Sequence, residues 1–410
     1  MANVKGRAGV VGLGMIGGGI AESLIRSGFV PVVGDICAER MQAFAGRAVL
    51  AKSAAEVAAQ SDVVMVCVVN ALQARAVICG EEGLLSSKHS GLIVCLVSTL
   101  SRREVLELNA VCEGAGVHLL DCGVSPGYLA AQNGMAAMVG GSADAVECAR
   151  AVIEGWAKKL IYCGEIGAGM AVKLARNVFT FGCWRVGKEA QALVESAGGS
   201  AATLLDAITT SDPDGALPLN KLRRASEEGK LPKDAAEKNY TLMQKDLAAA
   251  FDLASERGVA MPASLAAMEY ARDTLDYDRE TEDVRERGIQ TAECVYGGGM
   301  GERLATRTDS VYAAETLDRV FAEVWHRPSL AVSAKRLIVM GVAAAQGRGD
   351  LIKIQMLGAL RRGELTEAQI DDLVLLLSYY VGWCNAGSVA QGAAEAVAAF
   401  KREGSNEYKA

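Results

Sequence analysis

Up to about Tyr162, short apolar runs alternate with stretches whose apolar residues recur at helical spacing. The runs fall at 8–11, 29–33, 63–69 (VVMVCVV), 92–97 (LIVCLV), 118–121 (HLLD) and 135–140 (MAAMVG). Between the first two, Ile20, Leu24 and Ile25 share one helix face. Apolar runs divided by amphipathic helices predict a doubly wound, parallel sheet of α/β type. In such sheets ligands bind beyond the carboxyl ends of the strands. Asn70, Ser98, Thr99, Ser125, Pro126 and Gly127 all follow directly on strand runs, so they point at one crevice.

After Gly164 the texture becomes alanine-rich and helix-forming, without clear strands. A long helix is expected over 169–197, stopped by Gly198 and Gly199. Further helices follow to about Asp276, interrupted by the polar stretch 209–215. A dense charge run, 276–287 (DYDRETEDVRER), separates these from a third, all-helical segment. The run reads equally well as a solvated helix face or a linker. Expected domains are therefore 1–163, 164–287 and 288–410, with a frayed tail from 403. The uncharged span 373–394 is nearly long enough to cross a bilayer. Ser378, Asn385, Gly387, Ser388 and Gln391 within it predict a buried helical hairpin instead.

At 410 residues there is ample length for two or three cores. The net charge of −7, with no dense basic patch, argues against nucleic acid or an anionic membrane as partner. Lys5 and Arg7 ahead of an apolar stretch imitate a secretion signal, but the first strand and helix use that stretch fully. The eleven cysteines include no CxxC pair and read as small buried hydrophobes of a reducing cytoplasm. With only His89, His118 and His326 present, a histidine-based metal centre is excluded, and no metal is expected.

Candidate chemistry begins at Gly12-Leu13-Gly14-Met15-Ile16-Gly17, a GxGxxG pattern between a strand and a helix. Gly12 permits the tight turn, Gly14 lets a pyrophosphate approach, and Gly17 allows close packing of helix on strand. The helix N-terminus offers free N–H groups and partial positive charge to the phosphates. Asp35, at the end of the second run, suits a ribose 2′-hydroxyl and repels a 2′-phosphate, so NAD is expected over NADP. Val69, Asn70 and Thr99 complete the expected cofactor wall.

Four ordered motifs over roughly 6–275 resemble the 3-hydroxyisobutyrate dehydrogenase family of β-hydroxyacid dehydrogenases. They are GLGMIG from Gly12, DCGVSPG from Asp121, GAGMAVKLARN from Gly167, and Lys245-Asp246-Leu247. The resemblance implies a Rossmann domain followed by a 6-phosphogluconate dehydrogenase-like helical domain. It implies that Lys173 is the catalytic acid/base and that Asn177 holds the substrate. Ser125 with the backbone of Pro126 and Gly127 would bind the substrate carboxylate, and Lys245 would close over the site. Lys173 and Asn177 stand at i and i+4, one turn apart on one helix face. Two departures stand out: Pro126 replaces a glycine and removes an N–H donor, and Arg176 replaces an asparagine.

The third segment is similar to the carboxymuconolactone decarboxylase family in VWHRPSL from Val324, ALRRGELT from Ala359 and YVGW from Tyr380. Such modules are helical and assemble as oligomers. The family's usual histidine is Gln355 here, which cannot shuttle a proton, so an assembly role is favoured over a second active site. Arg327, Tyr380 and Cys384 are the remaining reactive candidates. The expected whole is a cytoplasmic, homo-oligomeric, NAD-dependent dehydrogenase of a small hydroxy acid. Alternatives are an imine or iminium reductase of the same superfamily, or a non-catalytic NAD-binding scaffold.

Overall fold

The computed structural model describes residues 6–407 except 228, 230–231, 276, 278–282, 308–309 and 328. Pro328 and half of the charge run 276–287 therefore lie outside the described residues. The chain divides into two compact units, Met1–Phe181 and Gly182–Ala410.

The first unit is an eight-stranded sheet: β1 (Ala8–Val11), β2 (Val32–Gly34), β3 (Val49–Leu50), β4 (Val63–Val66), β5 (Ile93–Leu96), β6 (His118–Ser125), β7 (Met135–Gly140) and β8 (Ala157–Gly164). Their spatial order is 3-2-1-4-5-6-7-8. All neighbours pair parallel except β6 with β7, where Asp121 faces Gly140 and Ser125 faces Ala136 in antiparallel register. The strand order reverses at β1 and β4, the switch point where doubly wound sheets bind ligands. Side chains alternate between two cores. Val10, Met65, Cys95 and Leu120 face one layer, with Ile20 and Leu24 of helix α1 (Met15–Arg26). Val11, Val64, Leu96 and Leu119 face the other, with Ile78 of α2 (Ala71–Cys79) and Leu108 of the helix Arg102–Gly114. Burial on both faces explains why these strands read as continuous apolar runs.

The expected long helix is α3 (Ala168–Ser196), and the division between the units falls within it. The second unit is helical. It includes α4 (Lys233–Glu256), α5 (Val284–Tyr296), α6 (Val332–Ala345), α7 (Gly349–Arg361), α8 (Glu367–Val381) and α9 (Trp383–Glu407). One core joins Met340, Ile352, Met356, Leu360, Ile370 and Val389 from α6 to α9. A second gathers Val295, Leu317, Phe321 and Trp325 around α5.

The span 373–394 forms the expected helical pair, α8 and α9, but it is not buried throughout. Leu373, Val374 and Leu377 pack inward, whereas Leu375, Leu376, Tyr379, Tyr380 and Trp383 are exposed. An uncharged helix carries no sequence mark of which face turns inward. Among the described residues, no helix is long and apolar enough to cross a membrane.

Candidate functional site

The glycine turn has the shape its residues require. Gly12 takes φ +90°, and a Cβ there would stand 2.4 Å from the Cys67 carbonyl oxygen. A Cβ on Gly17 would stand 1.8 Å from the Gly12 carbonyl, so only glycine fits. Around Gly14 the same position is open, with nothing within 4 Å. Gly14 caps α1 without a side-chain hydrogen bond. The turn thus offers an open backbone edge at a helix N-terminus, and the residues present fit a dinucleotide pyrophosphate.

Asp35 is tied to this turn. Its carboxylate accepts from the Leu13 amide at 2.5 Å and the Cys37 amide at 2.7 Å. Arg40 lies 3.6 Å away. At the neighbouring strand ends, Val69 and Asn70 are exposed, and Asn70 caps α2 by accepting from the Gln73 amide. Thr99 is exposed beside buried Ser98. The Ser98 hydroxyl accepts from the Val68 amide and donates to the Val68 carbonyl, linking the loops after β4 and β5. Ser98 thus positions both loops, a role that its place after the β5 run does not reveal in sequence.

The loop at the end of β6 meets the nucleotide turn. A Cβ on Gly127 would stand 2.9 Å from Ile16 Cδ1 and 3.4 Å from Met15 Cε. Gly127 is therefore held directly beside Met15 and Ile16. Lys173 reaches the same strand. A Cβ on Gly123 would lie 2.3 Å from Lys173 Cβ and 2.9 Å from its Cγ, so the lysine stem occupies the space a side chain there would fill. Burial, with Arg176 nearby, lowers the Lys173 ammonium from its ordinary 10.5. Asn177, half-buried on the next turn, accepts from Arg176 at 3.3 Å.

What fixes α3 against β6 is Asp121. It is fully buried, and its two oxygens accept from the Gly167 amide at 2.6 Å and the Met170 amide at 2.5 Å. Burial pushes the Asp121 carboxyl above 3.8, against the pull of those amides. Gly169 and Gly140 permit the approach: a Cβ on Gly169 would stand 2.6 Å from the Asp121 carbonyl. The motif containing Asp121 was visible in the sequence. Its role as anchor of the lysine helix was not.

Lys245 belongs to the second unit, exposed on α4, with its ammonium 3.4 Å from the Asp246 carboxylate. Gln355 on α7 is buried. Its side-chain oxygen accepts from Arg336 at 3.0 Å, and its nitrogen donates to the Tyr296 hydroxyl at 3.3 Å. Arg336 also pairs with buried Glu364 at 2.5 Å. Gln355 is thus part of a saturated polar network. Tyr380 and Cys384 are exposed, whereas Arg327 lines a cavity that neither of them reaches. Burial pushes the Cys112 thiol up to about 12.

A doubly wound sheet with a glycine turn at its switch point, the loop after β6 beside that turn and a helix-borne lysine is the arrangement of a dinucleotide-binding oxidoreductase. Residues 7–164 match the NAD binding domain of 6-phosphogluconate dehydrogenase. Residues 167–286 match the NAD-binding domain of NADP-dependent 3-hydroxyisobutyrate dehydrogenase, and residues 312–396 the carboxymuconolactone decarboxylase family. An uncharacterized oxidoreductase of Mycobacterium tuberculosis is 31% identical over 269 residues, 64% of this chain and 91% of that protein. L-Threonate dehydrogenase of Escherichia coli K12 is 30% identical over 266 residues, 63% of this chain and 86% of the enzyme. The solved structure of a provisionally assigned oxidoreductase from Mycobacterium avium 104 superposes with TM-score 0.59 at 30% identity, over 66% of this chain and 98% of that one. The chain belongs to the 3-hydroxyisobutyrate dehydrogenase-like family of dinucleotide-binding oxidoreductases and carries a carboxymuconolactone decarboxylase-family segment at its C-terminal side.

Proposed function

We propose that the protein is an NAD-dependent β-hydroxyacid dehydrogenase with Lys173 as its acid/base. The bound dinucleotide supplies a hydride acceptor. Lys173 Nζ takes the hydroxyl proton as hydride leaves the carbinol carbon, and returns it in the reverse direction. Its lowered basicity favours the neutral amine needed for that step. Ser125 and the Gly127 amide hold the substrate carboxylate, and Asn177 orients the substrate. Gly12, Leu13, Gly14, Met15, Ile16 and Gly17 cradle the pyrophosphate, with Val69, Asn70 and Thr99 along the cofactor. Asp35 receives the ribose hydroxyls and excludes a 2′-phosphate, hence NAD.

The observation that carries this reading is the packing of the Lys173 stem on Gly123, two residues before the Ser125-Pro126-Gly127 loop. The relatives named for L-threonate and 3-hydroxyisobutyrate point to a small hydroxy acid as substrate. We assign residues 1–163 to cofactor binding, 164–287 to substrate binding, and 288–410 to assembly of a cytoplasmic homo-oligomer. The test is NADH formation with 3-hydroxyisobutyrate and L-threonate, each run with NAD and NADP, before and after Lys173→Ala. A loss of about 10²-fold or more is expected.

A second reading, an imine reductase, is favoured by Pro126 alone, since its missing N–H weakens the carboxylate cradle. Turnover confined to cyclic imines with NADPH, indifferent to Lys173→Ala, would establish it.

A further inference from the structure

The second unit contains a cavity of about 310 Å³ between α4, α5 and α6 that the dehydrogenase reading does not use. Five cations line it: Arg272, Arg287, Arg327, Lys335 and Arg362. Only two carboxylates join them, Glu269 and Asp273, and Glu269 already accepts from the Ser333 amide and hydroxyl. A local excess of three positive charges is notable in a chain of net charge −7. Like charges gathered in a partly desolvated recess repel one another, and an entering anion relieves that repulsion.

Two guanidinium groups are presented for such a guest. Arg362 spends its Nε on Glu364 at 2.9 Å, and Arg287 spends its Nε on the Ala322 carbonyl at 3.0 Å. Among the described residues no hydrogen bond engages their terminal nitrogens, the planar edge that matches a carboxylate. Lys335 donates to the Trp325 and Arg327 carbonyls, which holds its ammonium at the wall, and burial lowers it from 10.5. Trp325, Tyr240 and Tyr270 line the same cavity. Arg272 stacks over the Tyr240 ring at 5.5 Å. Cys294 also lines the cavity, within electrostatic reach of Arg362 and Lys335. Gln355, at the place of the family's usual histidine, is not part of the wall.

We propose that this cavity binds a small organic acid, its carboxylate on Arg287 and Arg362 and its apolar body against Trp325. The volume is at the small end of ligand sites and suits a compact monocarboxylate.

The experiment titrates the full-length protein with benzoate, and in parallel with neutral benzyl alcohol, inorganic phosphate and sulfate, by calorimetry. One benzoate per chain is expected, with a dissociation constant on the order of 0.1–1 mM, and no measurable benzyl alcohol binding. The titration persists in Lys173→Ala, which separates this site from the dehydrogenase centre. Benzoate slows N-ethylmaleimide labelling of Cys294, read by peptide mass mapping, and leaves exposed Cys148 unaffected. Arg327→Gln weakens benzoate about tenfold by removing one cation. Arg287→Gln, checked for folding by circular dichroism, weakens it at least as much. Equal binding of benzyl alcohol, tighter binding of phosphate or sulfate than of benzoate, no protection of Cys294, or indifference to both substitutions would each overturn the proposal.

Discussion

Gly123→Ala tests most directly whether Lys173 is held where chemistry occurs. The added methyl would begin 2.3 Å from Lys173 Cβ and 3.2 Å from the Gly169 carbonyl oxygen. Carbon atoms rest comfortably at about 3.5 Å or more, so strand and helix must part by roughly 1.2 Å. Gly169 sits between the two backbone anchors of Asp121, so the helix cannot tilt freely to absorb the strain. Overpacking of this kind costs about 1–3 kcal/mol of stability. Displacing a catalytic group by about 1 Å costs on the order of 10²-fold in rate, near 2.7 kcal/mol of activation free energy. The nucleotide turn is not touched, so the loss belongs in kcat and in KM for the acid. The assay is steady-state NADH formation with 3-hydroxyisobutyrate or L-threonate, beside NAD binding by fluorescence and unfolding by denaturant. A folded variant whose kcat stays within about threefold of the parent would refute the reasoning.

Asp121→Asn leaves one amide NH₂ facing a backbone N–H, and should lower stability by about 2–4 kcal/mol in urea unfolding; a change below half a kcal/mol would remove Asp121 as anchor. Asp35→Ala frees the Leu13 and Cys37 amides, and should reduce NAD affinity about tenfold while NADP, with Arg40 beside it, loses less. An unchanged NAD to NADP ratio in paired titrations defeats the assignment. Because burial lowers Lys173, oxidation of the hydroxy acid should rise with pH along a limb centred below 10.5, as the amine loses its proton. A limb at or above 10.5, or one that survives Lys173→Ala, counts against the acid/base role.

Much of the first unit was legible because both faces of its strands are buried. The alternation of Val10 and Val11, or Met65 and Val66, between two cores leaves an uninterrupted apolar run in the sequence. β8 was not legible: Ala157–Gly164 carries Lys158 and Lys159 on its exposed positions, so it lacks that run. β3 has two residues and no periodicity to read. The antiparallel turn of β7 against β6 also left no mark, since local pattern does not encode strand direction. At the site, the glycines and Lys173 announced themselves by motif. The anchoring roles of Asp121 and Ser98 did not, because their partners lie 46 and 30 residues away and are backbone groups. Gln355 showed in sequence that a base was missing. That it completes the Arg336–Glu364 network depended on three helices meeting.

The close seat of Gly127 on Met15 and Ile16 has a consequence for binding. On the proposed assignment, a dinucleotide on the turn would press on the same two side chains that back the loop after β6. Cofactor and substrate would then be thermodynamically linked, each changing the other's affinity by one common factor. Enlarging either Met15 or Ile16 would alter that coupling.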